Sequence, residues 1–240
     1  MLLAIDTSTC SASVALCEGE RCHAEQWTEG GGGHGGALIP LIAGCCAMAG
    51  ITAAALTGVA VAVGPGAFTG LRVGIATAQA VAMARRIPLV GVSSLAAMAR
   101  HLVGGAPSRC ATAMVAVPLV AVPLFDARRG EIYGAAYAVA TGHELIPPTL
   151  ATPDEFARQV TQLDGTVCCF GDGWVRYQPL IASVIGHRLV PPEPAMHRPS
   201  ARFVAAIGAA RLQAGDDDPV ATVLPQYLRP SYAEKQREGA

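Results

Sequence analysis

The chain has 240 residues, 52% apolar and 15% charged, with 17 Lys and Arg set against 18 Asp and Glu. That length accommodates one large domain or two lobes of roughly 100–120 residues each, with ample material for a packed core. A formal net charge of −1, with Lys235 the only lysine, argues against a protein that holds RNA unaided, because phosphate neutralisation by a basic face supplies most of such affinity.

The eight cysteines do not read as a disulfide framework. A chain this long needs no staples, and Asp6 interrupts the N-terminal apolar run too early for a signal peptide. Cys45-Cys46 and Cys168-Cys169 are adjacent pairs, not the C-x-x-C spacing of zinc sites; they read as small core residues in a reducing cytosol. Residues 37–64 carry no charge, long enough on paper to cross a bilayer. Pro40, Gly44, Gly50, Thr52, Thr57 and Gly58 divide that stretch into helix, turn and strand lengths. A soluble cytoplasmic protein is expected, with no membrane contact.

In chain order, Leu2–Ile5 is a short apolar strand that ends at Asp6-Thr7-Ser8, and Ser13–Cys17 and Arg21–Gln26 continue it as a meander. Gly30–Gly33 is a loop leading to His34. Residues 37–49 have helical spacing at Leu38, Leu41/Ile42, Cys45 and Met48. Val59–Val63 is a strand that delivers Gly64-Pro65-Gly66-Ala67-Phe68-Thr69-Gly70, and a helix over 71–85 follows, closing on the cationic pair Arg85-Arg86. Leu89–Val92 is a further strand, with Ser94 capping a helix through Leu102. Gly104–Ser108 marks a boundary between a first lobe (1–105) and a second (106–240). In the second lobe Val120–Phe125 is a strand ending at Asp126, Arg128-Arg129-Gly130 turns it into Glu131–Tyr137, and Thr152-Pro153-Asp154-Glu155 is a capped helix start. Val167–Phe170 delivers Gly171-Asp172-Gly173 before a helix over 174–184. A last helix, 199–214, stops at Gly215 and is placed to pack back on the first lobe.

The two halves repeat one plan. Each opens with an apolar strand ending in aspartate, continues as a hairpin, and later runs a strand through a Gly-x-Gly loop into a helix. This predicts an α/β fold with a duplicated mixed sheet and flanking helices, as in the actin/Hsp70/acetate-kinase superfamily. In that superfamily the first hairpin wraps a nucleotide phosphate. Asp6, Thr7 and Ser8 either contact an anion in that way or satisfy their own turn. Gly64, Gly66 and Thr69 likewise form either an anion-binding turn or an architectural one. No serine sits in a G-x-S-x-G setting, the six histidines are scattered, and His34 has no second imidazole one helical turn on. No catalytic residue, metal or cofactor is expected.

Leu3–Thr9, Gly64–Gly74, Asp126–Tyr133 and Pro225–Pro230, in that order, resemble the TsaB (YeaZ) family. The resemblance implies a non-catalytic subunit required for threonylcarbamoylation (t6A) of the adenosine beside the anticodon in tRNAs reading codons that begin with A. It also implies a heterodimer with TsaD, a paralogue of the same fold, an ATPase partner TsaE that joins through the complex, and indirect contact with tRNA. The paralogue's His-x-x-x-His metal pair is represented here by His34 and Leu38. Ala67 and Gly35 stand where the family usually has serine. Two other readings stay open: an ATP-dependent small-molecule kinase of the same superfamily, relying on Asp126 and Gly171-Asp172-Gly173, and an inactive metallopeptidase-like protein.

The helices over 37–49 and 71–85 are apolar nearly all round, which is the pattern of a helix covered on both sides. One face packs on the first lobe's sheet. The other is expected to meet the equivalent helices of TsaD, or of a second copy when this chain is alone, through Leu38, Leu41, Ile42, Cys45, Leu71, Ile75, Ala76, Gln79, Ala80 and Met83.

Overall fold

The computed structural model describes residues 1–19, 21–28, 34–104 and 118–229. The expected loop at Gly30–Gly33 and the lobe boundary beyond Gly104 lie outside them. The first sheet is built from β1 (Leu2–Asp6), β2 (Ser13–Glu18), β3 (Arg21–Trp27), β4 (Gly58–Gly64) and β5 (Leu89–Ser93) in the order β3-β2-β1-β4-β5. β1 runs antiparallel to β2 and parallel to β4. The second sheet is β6 (Leu119–Arg128), β7 (Glu131–Ala138), β8 (Glu144–Ala151) and β9 (Thr166–Phe170) in the order β8-β7-β6-β9, with β6 antiparallel to β7 and parallel to β9. β6 therefore repeats the place of β1, and the expected duplication is present as topology.

Alternation along the strands sets five layers. Leu3 and Ile5 of β1 face a cluster with Val14, Leu16, Val59, Val61 and residues of α1 (His34–Met48) and α2 (Phe68–Arg85). Their neighbours Leu2 and Ala4 face the opposite side, with Ala60, Ala62 and residues of α6 (Ala201–Gln213). Strands apolar on both faces are what a sheet covered on both sides requires. The second sheet sends Phe125, Ala135 and Phe170 toward α3 (Ser94–Ala99) in the middle layer. It sends Val122, Leu124 and Val167 outward under α4 (Pro153–Thr161) and α5 (Asp172–Ile185).

Local chemistry explains several boundaries. Thr152 and Glu155 form a reciprocal capping box at the start of α4, as their spacing predicts. The cap of α3 differs from expectation: the side chain of Ser93, not Ser94, accepts from Ala96 N at 3.4 Å, while buried Ser94 accepts from Gly64 N at 3.0 Å. β8 was not anticipated because of Pro147 and Pro148. It is an edge strand of its sheet, where a residue without N–H costs no ladder bond on the solvent side. No helix among the described residues is long and apolar enough to cross a membrane.

Candidate functional site: an apolar helix pair and the inter-lobe cleft

α1 and α2 lie side by side on one face of the first sheet. α1 contains no charged residue. Its stripe at Leu38 and Cys45 is buried to 1% and 0%, and the Cys45 thiol donates to Val14 O. Leu71 and Ile75 of α2 are similarly buried, at 0% and 3%. These four residues, expected at a partner interface, instead form the inward face of their helices. In a helix apolar on every side the sequence cannot say which stripe faces the sheet, and here the stripes of Leu38 and Cys45 and of Leu71, Ile75 and Ala78 do. Leu41 and Ile42 are half-buried at the shoulder. Gln79 is turned toward the C-terminal segment, donating to Val220 O and Val223 O at 2.8 and 3.1 Å. Ala76, Ala80 and Met83 do face outward.

The outer surface of the pair also holds residues that the sequence reading passed over. Ile39 is 60% exposed, Met48 61% and Met83 68%, with Ala43, Ala47 and Ala84 exposed between them. The signal for Ile39 was available, one residue along the helix from Leu38. Large exposed side chains among alanines leave an apolar surface, uncharged on α1, which is the composition of interface cores. One margin of α2 is covered from within the chain. Residues 220–227 cross it, held by Gln79, by Arg72 Nε donating to Tyr227 OH at 2.9 Å, and by Phe68 stacked on Tyr227 at 4.8 Å.

Between the lobes lies a cleft of about 490 Å³. Ser8, Gly66, Asp126, Arg128, Arg129, Asp172, Tyr227 and Arg229 are among the residues that line it. Of the six residues considered for anion contact, only Ser8 and Gly66 reach this space. Asp6 is 1% exposed, and its carboxylate accepts from Ser8 N at 2.9 Å and from Ser8 Oγ at 2.6 Å, so it satisfies its own turn. Burial pushes the Asp6 carboxyl above its ordinary value, with the two Ser8 bonds opposing the shift. Thr7 and Gly64 are buried, and Thr69 is exposed on the first turn of α2. The glycine loop serves packing. A Cβ on Gly66 would stand 2.3 Å from Ser8 O, Ala67 N already donates to Ser8 O at 2.7 Å, and Gly64 N donates to Ser94 Oγ. Amides spent in this way are not free for a phosphate.

On the second lobe the equivalent turn is tied similarly. Asp126 N donates to Asp172 Oδ1 at 3.0 Å, and the Asp126 carboxylate receives Arg128 N and pairs with the Arg128 guanidinium at 3.2 Å. Burial raises the Asp172 carboxyl above its usual range. The side chain of His34 lies outside the described residues, and Leu38, in the place of a second histidine, is core. Among the described residues no three His, Cys, Asp or Glu converge to hold a metal ion.

Two stacked lobes of repeated topology, with a bare apolar helix pair on the outside of the first, define an α/β protein of the actin/Hsp70/acetate-kinase plan. Residues 31–236 match the family described as "TsaD: tRNA N6-adenosine threonylcarbamoyltransferase". The curated "tRNA threonylcarbamoyladenosine biosynthesis protein TsaB" of Bacillus subtilis is 28% identical over 238 residues, spanning 97% of this chain and 96% of the relative. Its Escherichia coli counterpart is 29% identical over 250 residues, spanning 99% and 98%. The solved structure of YeaZ from Pseudomonas aeruginosa superposes with a TM-score of 0.76 at 26% identity, covering 95% of this chain and 99% of that one. The chain belongs to this family, on its TsaB/YeaZ branch.

Proposed function

We propose that this chain acts in tRNA threonylcarbamoyladenosine biosynthesis as a non-catalytic cytoplasmic subunit that activates a TsaD-type relative by docking against it. The outer surface of α1 and α2 receives the equivalent helices of that relative, and pairs with a second copy when the relative is absent. The ATPase TsaE joins through the complex, and tRNA is reached only through the assembled particle. One observation carries the reading: a helix pair that exposes Ile39, Met48 and Met83, with no charge anywhere on α1, where a solvated surface would be polar. The names of the full-length relatives support the pathway, and a core leucine, Leu38, in the place of the paralogue's second histidine supports a role other than catalysis.

The test is reconstitution on unmodified tRNA, with purified relative, ATPase and threonylcarbamoyl donor, with and without this chain. Modification is expected to require the chain and to be lost with folded Ala80→Glu. Full modification in its absence, or modification by this chain alone, would overturn the proposal.

A further inference from the structure

The hairpin at the free edge of the first sheet carries chemistry that the docking role does not use. β2 and β3 end on the pairs Cys17↔Cys22 and Glu18↔Arg21, and the register shifts between Leu16 and Cys17. Leu16 is opposite Ala24, so an unbroken ladder would set Cys17 against His23. One extra residue in β3 brings Cys22 there instead. Directly opposed residues on antiparallel strands have Cα atoms about 4.5–5.5 Å apart and side chains on one face. A disulfide spans roughly 4.4–6.8 Å between Cα atoms.

The two thiols are near enough to influence each other's titration, while Cys22 Sγ donates to Ala24 O at 3.4 Å. Interaction with Cys17 lowers the Cys22 thiol below its ordinary value, against an opposing effect of burial. The same interaction, then burial, pushes the Cys17 thiol up. Access is equally asymmetric: Cys22 is exposed, while Cys17 is 3% exposed beneath α6. An accessible sulfur directly opposite a shielded one is the arrangement of an attacking and a resolving cysteine.

We propose that Cys17 and Cys22 form a reversible dithiol–disulfide couple, oxidised by low-molecular-weight disulfides of the glutathione type. The Cys22 thiolate attacks one sulfur of the oxidant, whose S–S bond breaks, and the first small thiolate leaves and takes up a proton. Cys17 then attacks the Cys22 sulfur of this mixed disulfide, its proton passing to the second departing thiolate. Two protein thiols become one disulfide, and one small disulfide becomes two thiols, so atoms and electrons balance.

The closed bond fastens edge strand β3 to β2 where both support α6. Cys17 packs with Ala201, Val204 and Ala205. Glu25, further along β3, accepts from Ser200 Oγ at 2.5 Å and from Arg202 N at 3.3 Å.

The test treats the folded full-length chain with oxidised glutathione and maps the products by mass spectrometry after trypsin, which cuts at Arg21 and separates the two cysteines. The expected product is a Cys17–Cys22 linked pair of peptides, released by dithiothreitol and formed roughly tenfold faster than any adduct at another cysteine. With Cys17→Ser the reaction should halt at a glutathione adduct on Cys22. A wild-type chain that stops at that adduct, or that is modified at Cys10 while Cys17 and Cys22 stay reduced, would overturn the proposal. The wild-type arm is decisive by itself, so the result does not depend on how serine is tolerated beneath α6.

Discussion

α1 and α4 hold the same place in the two lobes, each joining a three-stranded meander to the parallel strand that follows it, yet they are built oppositely. α4 carries Asp154, Glu155 and Arg158 on its outer side, buries Phe156, Ala157 and Val160, and opens on a capping box. α1 has no charged residue at all. α2 and α5 differ less: α5 exposes Val175 and Leu180 beside Arg176 and Gln178, and α2 exposes Ala76, Ala80 and Met83 beside Arg72 and Arg85. One duplicated scaffold thus carries a charged helix at α4 and an uncharged one at α1. The asymmetry resides in side chains, because the backbone plan is shared.

The largest expected effect tests whether the scaffold is shared. Gly66 and Gly171 stand at equivalent strand-to-helix loops. A Cβ would meet Ser8 O at 2.3 Å at the first, and Leu124 O at 2.2 Å at the second, where φ is also 103°. Alanine at either site should cost about 3–5 kcal/mol in urea denaturation, with Gly171→Ala the worse for its left-handed backbone. Near-neutral results would remove the equivalence of the loops.

The difference between the outer layers is sharpened by charge. Ala80→Glu on α2 should weaken capture of the TsaD-type relative about 100-fold, roughly 2.7 kcal/mol, with an unchanged denaturation midpoint. Val175→Glu, at a 59% exposed site on α5, should leave capture as it was. Equal losses from both would show that the two surfaces do not differ in kind.

The middle layer between the lobes contains a titratable contact. His101 Nε2–H donates to Arg198 O at 3.1 Å, and the ring lies edge-on to Phe203 at 4.6 Å. Burial lowers its pKa from 6.5 to about 4. The unfolded chain takes up this proton at higher pH than the folded one, so the stability it contributes is complete above 6.5 and declines as pH falls toward about 4. The loss should reach about 2–3 kcal/mol by the acid end of that window. His101→Gln should flatten the urea-midpoint profile over that range, and an unaltered profile would place the acid sensitivity elsewhere.

The smallest effect concerns helix ends. Thr152→Ala removes the α4 cap and should cost about 1 kcal/mol, read as a lower thermal midpoint with partner capture intact.

Most of the fold was legible because its signals are local. Apolar runs ending in Asp6 and Asp126, the capping box at Thr152, and Gly-x-Gly loops before α2 and α5 fix strands, caps and turns within a few residues. β8 escaped because prolines exclude a strand only from the sheet interior, and whether a strand lies at an edge is not written in its own residues. For the proposed docking surface the sequence pointed to two helices but could not orient their faces. α1 and α2 are apolar all round, so periodicity gave no reason to prefer Ile39 over Leu38, and Leu38, Leu71 and Ile75 were assigned outward when they are core.

The amino-acid order by itself determined the duplicated α/β plan, the family and the pair of helices too apolar for water, since each depends on short-range pattern. Only the tertiary structure decided which stripe of those helices turns to the sheet, that Asp6 serves its own turn and not the cleft, and that an extra residue in β3 sets Cys22 against Cys17. These are consequences of register and rotation, and both are fixed by the packing of segments distant along the chain.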